Sequence, residues 1–524
     1  MRSSLVLLAL TWGALLCGAQ MTLQSIPADI FSSTNPRCLD GSAAKFYYEP
    51  APLGSTTTQW VIFFEGGGFC ATFSDCVDRS TISLGSSTQL DSTLTVRGVL
   101  DSDATFNPIF SQFHRVYVPY CDGFFMSGDQ PDQVFEEVDG QQKGLWFRGH
   151  GILNGILDTL LREYGLGNAT QVLLSGESAG AMTVYFNGEY IKSRLPQNAV
   201  VKASPISGFF LTRTQLDGQN ELRDGVIAAD PLHLASPLKN NSCNNFVADP
   251  RECLLPNETY AHYSLPIFVI NSALDAFSLG FHTAGQDFGE CANPDNEFQT
   301  CNANQVATYN RWRDNFVEDI SRSQTSTAPG NGMFIHTCFE HSEARDREGF
   351  TSWSLNSTRL VVALGNWFTA PVSSPASQHT YKPCSLTTQQ PVQCNPSCLL
   401  TTATTSPPTA STTTTTPTST PSASPTATPT TPISPTATPT TPISPTTSPI
   451  EPADGPTTSS PTSSLGASDL SGSSSSEGSS NSESTGLVAG IAVAGAFAVV
   501  TVVALVVYCV RKPKPAPIPS VEQV

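Results

Sequence analysis

Charge is scarce in this 524-residue chain, and positive charge most of all. Asp, Glu, Lys and Arg make up 13% of it, with 26 basic against 44 acidic residues and a formal net charge of −18. A nucleic-acid surface needs Lys and Arg in excess facing the phosphates. The longest basic cluster is Arg511-Lys512-Pro513-Lys514, near the far end, so no nucleic-acid partner is expected. Metal-ligand patterns are missing too: there is no His-Glu-x-x-His and no paired Cys-x-x-Cys, and Cys394 to Cys398 has the wrong spacing for zinc. A phosphate loop would need Gly-Lys-Ser/Thr, which is also absent. The 38 glycines follow no collagen-like period.

What is present falls into unlike parts. Residues 1–19 read as a signal peptide: Arg2, an apolar stretch, then Cys17-Gly18-Ala19 as a small-residue cleavage site. Residues 486–510 carry no charge and are long enough to cross a hydrocarbon core about 30 Å thick. Arg511, Lys512 and Lys514 follow, which places residues 511–524 in the cytoplasm and the bulk of the chain outside. The expectation is therefore a cell-surface, single-pass type I protein anchored by one C-terminal helix. Residues 399–485 are almost all Thr, Ser, Pro, Ala and Gly, and a ten-residue unit starting at Ser424 recurs at Ser434. So few apolar side chains cannot offset the entropy of ordering. This reads as a disordered, mucin-like stalk.

The head, residues 20–398, holds 12 of the 14 cysteines. An even number in an oxidising compartment implies up to six disulfides, with Cys70–Cys76, Cys243–Cys253 and Cys291–Cys301 as the sequence-local candidates. Glycosylation sequons stand at Asn168, Asn240, Asn257 and Asn356. Apolar β-rich runs at 60–64, 115–120, 171–174, 266–270 and 332–336 alternate with helical patterns such as 151–164. Continuous apolar strands between amphipathic helices predict an α/β fold whose mostly parallel sheet is covered by helices on both sides.

On such a sheet chemistry sits at the carboxyl ends of the strands. After the 171–174 strand comes Gly176-Glu177-Ser178-Ala179-Gly180 and a predicted helix. This is the G-x-S-x-G elbow, in which a tight turn exposes a serine hydroxyl. After the 60–64 strand comes Glu65-Gly66-Gly67-Gly68-Phe69-Cys70. Glycines there let backbone N–H groups face a developing oxyanion, with the N–H of Ala179 as their partner. A serine needs a base to take its proton, and the imidazole needs a carboxylate to fix its tautomer. Asp275 and His341 each lie just beyond a later strand, in the chain order Ser, Asp, His. His336, at a strand end, is the alternative base, and His150 reads as structural or pocket-lining.

These stretches resemble the pectin acetylesterase/Notum carboxylesterase family. The matching segments are WVIFFEGGGFC (60–70), Tyr120-Cys121-Asp122-Gly123, Trp146-Phe147-Arg148-Gly149, 176–180, 271–275 and GMFIHTCFEH (332–341). The resemblance implies an α/β-hydrolase-like fold, no cofactor, Ser178 as nucleophile, His341 as base and Asp275 as its orienting acid. It further implies oxyanion donors at Gly67, Gly68 and Ala179, with Phe69 lining the substrate site. Three glycines, an aromatic and Cys look more like the pectin acetylesterase branch; Notum places a tryptophan where this chain has Gly68. The chain departs from the family around Ser204 to Phe210, where an acidic residue usually precedes the Gly-Phe-Phe segment.

The expected activity is a serine carboxylesterase acting on acetyl esters of an extracellular polysaccharide. The expected glycan is pectin-like or another acetylated one: the head's formal charge of −16 repels a polyanionic galacturonan at long range, salt screens this beyond about 10 Å, and a neutral acetylated glycan is the variant this charge keeps open. The alternatives are a Notum-like deacylase of a lipid-modified signalling protein, with phenylalanines such as Phe69, Phe124, Phe125, Phe209, Phe210 and Phe277 lining its pocket, and a catalytically silent adhesion or receptor head. Oligomeric state is not legible.

Overall fold

The computed structural model describes residues 20–282, 291, 298, 300–342, 347–381, 394–395 and 397–398. The expected signal peptide (1–19), stalk (399–485), membrane helix (486–510) and tail (511–524) lie outside the described residues. Among the described residues no helix is long and apolar enough to cross a membrane.

A ten-stranded sheet organises the head. Its strands are Met21–Ser25 (β1), Lys45–Glu49 (β2), Gln59–Phe64 (β3), Thr93–Leu94 (β4), His114–Val118 (β5), Gln171–Glu177 (β6), Val200–Ile206 (β7), Phe268–Ser272 (β8), Gly332–His336 (β9) and Ser377–Thr380 (β10). They lie in the order β10-β9-β8-β7-β6-β3-β5-β2-β1-β4. The seven from β10 to β5 are parallel, and β2, β1 and β4 add an antiparallel edge. The expected α/β class and mostly parallel sheet are thus present. Five successive residues of β3, Trp60, Val61, Ile62, Phe63 and Phe64, are all buried. Alternate side chains point to opposite faces, so both faces are covered.

The helices that bear on the site are Phe73–Arg79 (α1), Gly149–Glu163 (α2), Ala179–Arg194 (α3), Ala276–His282 (α4) and Leu360–Thr369 (α5). Helix α2 buries the apolar stripe Ile152, Leu153, Ile156, Leu157 and Leu160. Helix α3 starts directly after Ser178 and is buried along most of its length. Lys192 and Arg194 occupy its last turn, where cations suit the helix dipole. Lys202 in β7 donates to the carbonyls of Trp367, Phe368 and Ala370, closing the end of α5. Strand β5 stops at Val118, short of the expected 120. Pro119 has no N–H to give the ladder, and the N–H of Tyr120 turns instead to Glu65 Oε2 at 2.9 Å.

Sheet order, not chain order, assembles the site. Strand β6 pairs with β3 on one side (Phe64 opposite Gly176) and with β7 on the other (Glu177 opposite Ile206). Beyond β7 lie β8 and then β9. The carboxyl ends that carry residues 65–70, Ser178, Ser207, Asp275 and His341 are therefore successive along one edge, at the switch point between the two halves of the sheet.

All three sequence-local disulfides are present, together with Cys38–Cys121 and Cys338–Cys398, and Cys394 is disulfide-bonded as well. Of the sequons, Asn168, Asn240 and Asn356 are exposed and Asn257 is half-buried.

Candidate active site

Ser178 sits at φ 53°, ψ −121°, between the last residue of β6 and the first of α3. A non-glycine residue with positive φ is strained by roughly 1–3 kcal/mol and persists only where its surroundings over-determine it. Here they do. The Ser178 N–H donates to Ile206 O at 2.9 Å. A Cβ on Gly176 would meet Gly180 O at 2.5 Å, and one on Gly180 would meet Phe64 O at 2.0 Å. Glycine at both flanks is thus a clearance requirement. A Cβ on Gly66 would meet Ser178 Cβ at 3.0 Å, so the glycine loop after β3 lies directly against the elbow.

The Asp275 carboxylate is buried, and its Oδ2 accepts from His341 Nδ1 at 2.6 Å. Its Oδ1 accepts the N–H of Ser278 at 2.8 Å, in the first turn of α4, where a negative charge is favoured. With Nδ1–H committed to Asp275, the neutral ring has its unprotonated nitrogen at Nε2, the tautomer a base needs. The ring stacks on Phe277, centroids 5.4 Å apart, and lies 6.3 Å from Phe210. The next residue, Ser342, donates its N–H to Ser207 Oγ at 2.8 Å. Ser207 directly follows Ile206, the residue that anchors Ser178, so two hydrogen bonds join the histidine loop to the elbow.

The other histidines serve differently. The runner-up base His336 is fully buried, with Nδ1 accepting the Cys338 N–H at 3.2 Å. His150 packs against Tyr190 at 4.6 Å, and burial pushes its imidazole down to about 4.

In the glycine loop Gly68 has φ +67°. Among the described residues, the N–H groups of Gly67, Gly68 and Phe69, and that of Ala179 at the start of α3, have no acceptor. These are the donors that an oxyanion would use. The Phe69 ring packs on Phe124 and Phe125, at 6.1 and 5.7 Å. Phe125 and Met126 both have positive φ, and Asp122 Oδ2 accepts the N–H groups of Phe124 (3.1 Å) and Met126 (2.8 Å). Burial raises the Asp122 carboxyl to about 6.

His233 lies beneath this loop, with Nε2 2.9 Å from Cys70 O and its ring stacked 4.4 Å from Phe124. Cys70, Cys76 and His233 are close enough to hold a metal ion, but the two sulfurs are bonded to each other, so no thiolate pair is available. Two surface clefts of about 340 and 490 Å³ flank residues 209–214, and neither is lined by Ser178 or His341. The chemistry is therefore located by the donor and base geometry, not by cleft size. Sequence reading missed Arg79, whose guanidinium donates to Gly67 O and Phe69 O, Tyr120, whose hydroxyl donates to Gly68 O, and Ser207. Tyr120 lay in a family-like segment, whereas nothing local marks the other two.

The profile described as Pectinacetylesterase matches residues 20–398. The chain belongs to the pectinacetylesterase family. Pectin acetylesterase 4 of Arabidopsis thaliana is 30% identical over 340 residues, covering 63% of this chain and 80% of that protein. Palmitoleoyl-protein carboxylesterase NOTUM of Schmidtea mediterranea is 26% identical over 355 residues, covering 64% and 61%. Among solved structures, the Wnt deacylase Notum from Drosophila matches with a TM-score of 0.57 at 21% identity, covering 68% of this chain and 95% of that one. At that identity the match establishes the α/β-hydrolase-like fold. As a member of the pectinacetylesterase family, the chain is a carboxylic ester hydrolase.

Burial holds the His233 imidazole down at about 4 in the fold, below its ordinary value near 6.5. A depressed pKa means stability that is fully present above about 6.5 and lost as pH falls toward 4. The conservative variant His233→Gln keeps a donor for Cys70 O and removes the titration. Thermal and denaturant unfolding from pH 7.5 to 4.5 should show the wild type losing on the order of 2 kcal/mol more than this variant. Equal losses would contradict the assignment.

Proposed function

We propose that the head is an extracellular serine esterase that removes acetyl groups from a polysaccharide through Ser178, His341 and Asp275. Ser178 Oγ attacks the ester carbonyl while His341 Nε2 takes its proton. The N–H groups of Gly67, Gly68 and Ala179 receive the oxyanion. The imidazolium, held by Asp275, then protonates the sugar oxygen as its bond to the acetyl carbon breaks, releasing the sugar hydroxyl. Water, deprotonated by the same histidine, releases acetate from Ser178. The observation that carries this reading is the 2.6 Å Asp275–His341 hydrogen bond, between loops two and three strands along the same sheet edge from a serine held at φ 53°. Asp275 stabilises a charge that develops only as the proton moves, so it acts on the transition state and not on substrate affinity.

Similarity to Arabidopsis pectin acetylesterases supports the acetylated-glycan substrate. The head's net charge of −16 favours a weakly charged acetylated glycan over polygalacturonate. A Notum-like deacylase is the second reading, favoured by the Phe277 and Phe210 rings beside His341, which would suit a longer acyl chain. Hydrolysis of acetyl, butyryl and octanoyl esters by the chain ending at residue 485 separates the readings. Acetyl esters should give the highest kcat/KM, by at least about tenfold, and Ser178→Ala should lower kcat by about 10⁴ or more. Preference for octanoyl esters would replace the glycan with an acylated protein. Folded protein inert toward all three would leave an adhesion head.

The same proposal places the head outside the cell, on the 399–485 stalk above the 486–510 membrane helix. Expressed in cells, the full chain should stay with membranes through alkaline carbonate washing, and the chain ending at residue 485 should enter the medium. Carbonate release of the full chain would refute the anchor.

A further inference from the structure

Three consecutive glycines are the most pliable backbone a chain can offer, and ordering them loses more conformational entropy than ordering any other residues. Donors aimed at an oxyanion must nevertheless be fixed before the reaction, because preorganisation is what makes them effective. Something outside the loop must hold residues 66–69 in place.

Two side chains grip its carbonyls. Arg79 Nη1 donates to Gly67 O, and Arg79 Nη2 donates to Phe69 O at 3.1 Å. From the other side, the buried Tyr120 hydroxyl donates to Gly68 O at 2.5 Å. A trans peptide sets C=O and the following N–H in opposite directions. Holding the Gly67 carbonyl on Arg79 therefore turns the Gly68 N–H away from the guanidinium. Holding the Gly68 carbonyl on Tyr120 likewise turns the Phe69 N–H away from the phenol. The Phe69 carbonyl, also on Arg79, leaves the Cys70 N–H to reach Gly123 O at 3.1 Å, as the same rule requires.

The guanidinium is itself anchored. Arg79 is the last residue of α1, and Cys76, one turn earlier on the same face, is disulfide-bonded to Cys70 at the end of the loop. Among the described residues no carboxylate forms an ion pair with Arg79, so the fork is given to carbonyl oxygens. A planar fork can serve two acceptors at once, whereas a lysine presents a single point charge.

We infer that Arg79 is the positioning residue of the oxyanion loop, fixing the direction of the Gly68 N–H from a helix tethered by Cys70–Cys76. The inference rests on the esterase reading above, and its consequence falls on the transition state. In Arg79→Gln, kcat for an acetyl ester, measured per folded molecule, should drop about 10²-fold or more, as when one oxyanion donor is lost, with KM changed less than about threefold. Arg79→Lys, which keeps the charge and one carbonyl contact, should recover part of the loss. Affinity for a trifluoromethyl ketone, a tetrahedral-intermediate mimic, should fall in step with kcat/KM across wild type, Arg79→Lys and Arg79→Gln. A merely structural arginine would lower the melting temperature and leave both readouts unchanged per folded molecule. That result, alongside an inactive Ser178→Ala, overturns the positioning role alone. Hydrolysis surviving in Ser178→Ala overturns the esterase mechanism and this inference with it. Should Arg79→Gln fail to fold, Arg79→Lys decides: unaltered kcat and ketone affinity contradict the role.

Discussion

The carbonyl of Phe64 and the backbone of Gly180 approach so closely that a single added carbon would lie 2.0 Å from the oxygen. Everything chemical in this head depends on that contact. It seats the start of α3 against the end of β3, and so puts Ser178 beside the glycine loop instead of one side-chain layer away. The parallel pairing of β3 with β6 sets the register, and Gly176 and Gly180 supply the clearance. A serine at positive φ is the local consequence, tolerated because the Ile206 carbonyl holds its N–H.

From that contact the site grows outward along the sheet. Three hydrogen bonds tie these loops together: the Ser178 N–H to Ile206 O joins β6 to β7, the Ser342 N–H to Ser207 Oγ reaches from the loop after β9 past β8 to β7, and His341 Nδ1 to Asp275 Oδ2 joins the loops after β9 and β8. Charge is handled by the same economy. Asp275 lies at the start of α4, whose N–H groups favour a carboxylate, and its other oxygen accepts from His341. On the opposite side of Ser178, the glycine loop is held through its carbonyls, which leaves the N–H groups of Gly67, Gly68 and Phe69 without an acceptor among the described residues. Disulfides reinforce this side: Cys70–Cys76 ties the loop to α1, and Cys38–Cys121 ties the segment holding Tyr120 and Asp122 to the N-terminal part of the head.

Much of this was legible in the chain before any coordinates. The runs at 60–64, 171–174 and 332–336 are apolar on both faces, a pattern that only a sheet buried on both sides satisfies, and they are strands. The elbow and the two loops with Asp275 and His341 could be placed because each directly follows such a run. What stayed hidden depends on distance through space. Arg79 looks like any arginine ending a short helix, and only the disulfide and the fold bring it to Gly67 and Phe69. The use of Ser207 as an acceptor for the Ser342 N–H follows from strand order alone. The hairpin Val134–Val138 with Gln141–Leu145 turns at Asp139-Gly140, both at positive φ. That turn signal was in the sequence, but few apolar residues alternate around it.

The proposal that three loops serve one reactive serine is tested most directly by a crystal structure of the chain after reaction with a dialkyl fluorophosphate. The phosphorus should be bonded to Ser178 Oγ, with its phosphoryl oxygen within about 3 Å of the Gly68 and Ala179 N–H groups and the His341 Nε2 facing the ester oxygens. Phosphorylation of any other residue, or a phosphoryl oxygen turned away from both N–H groups, would contradict it.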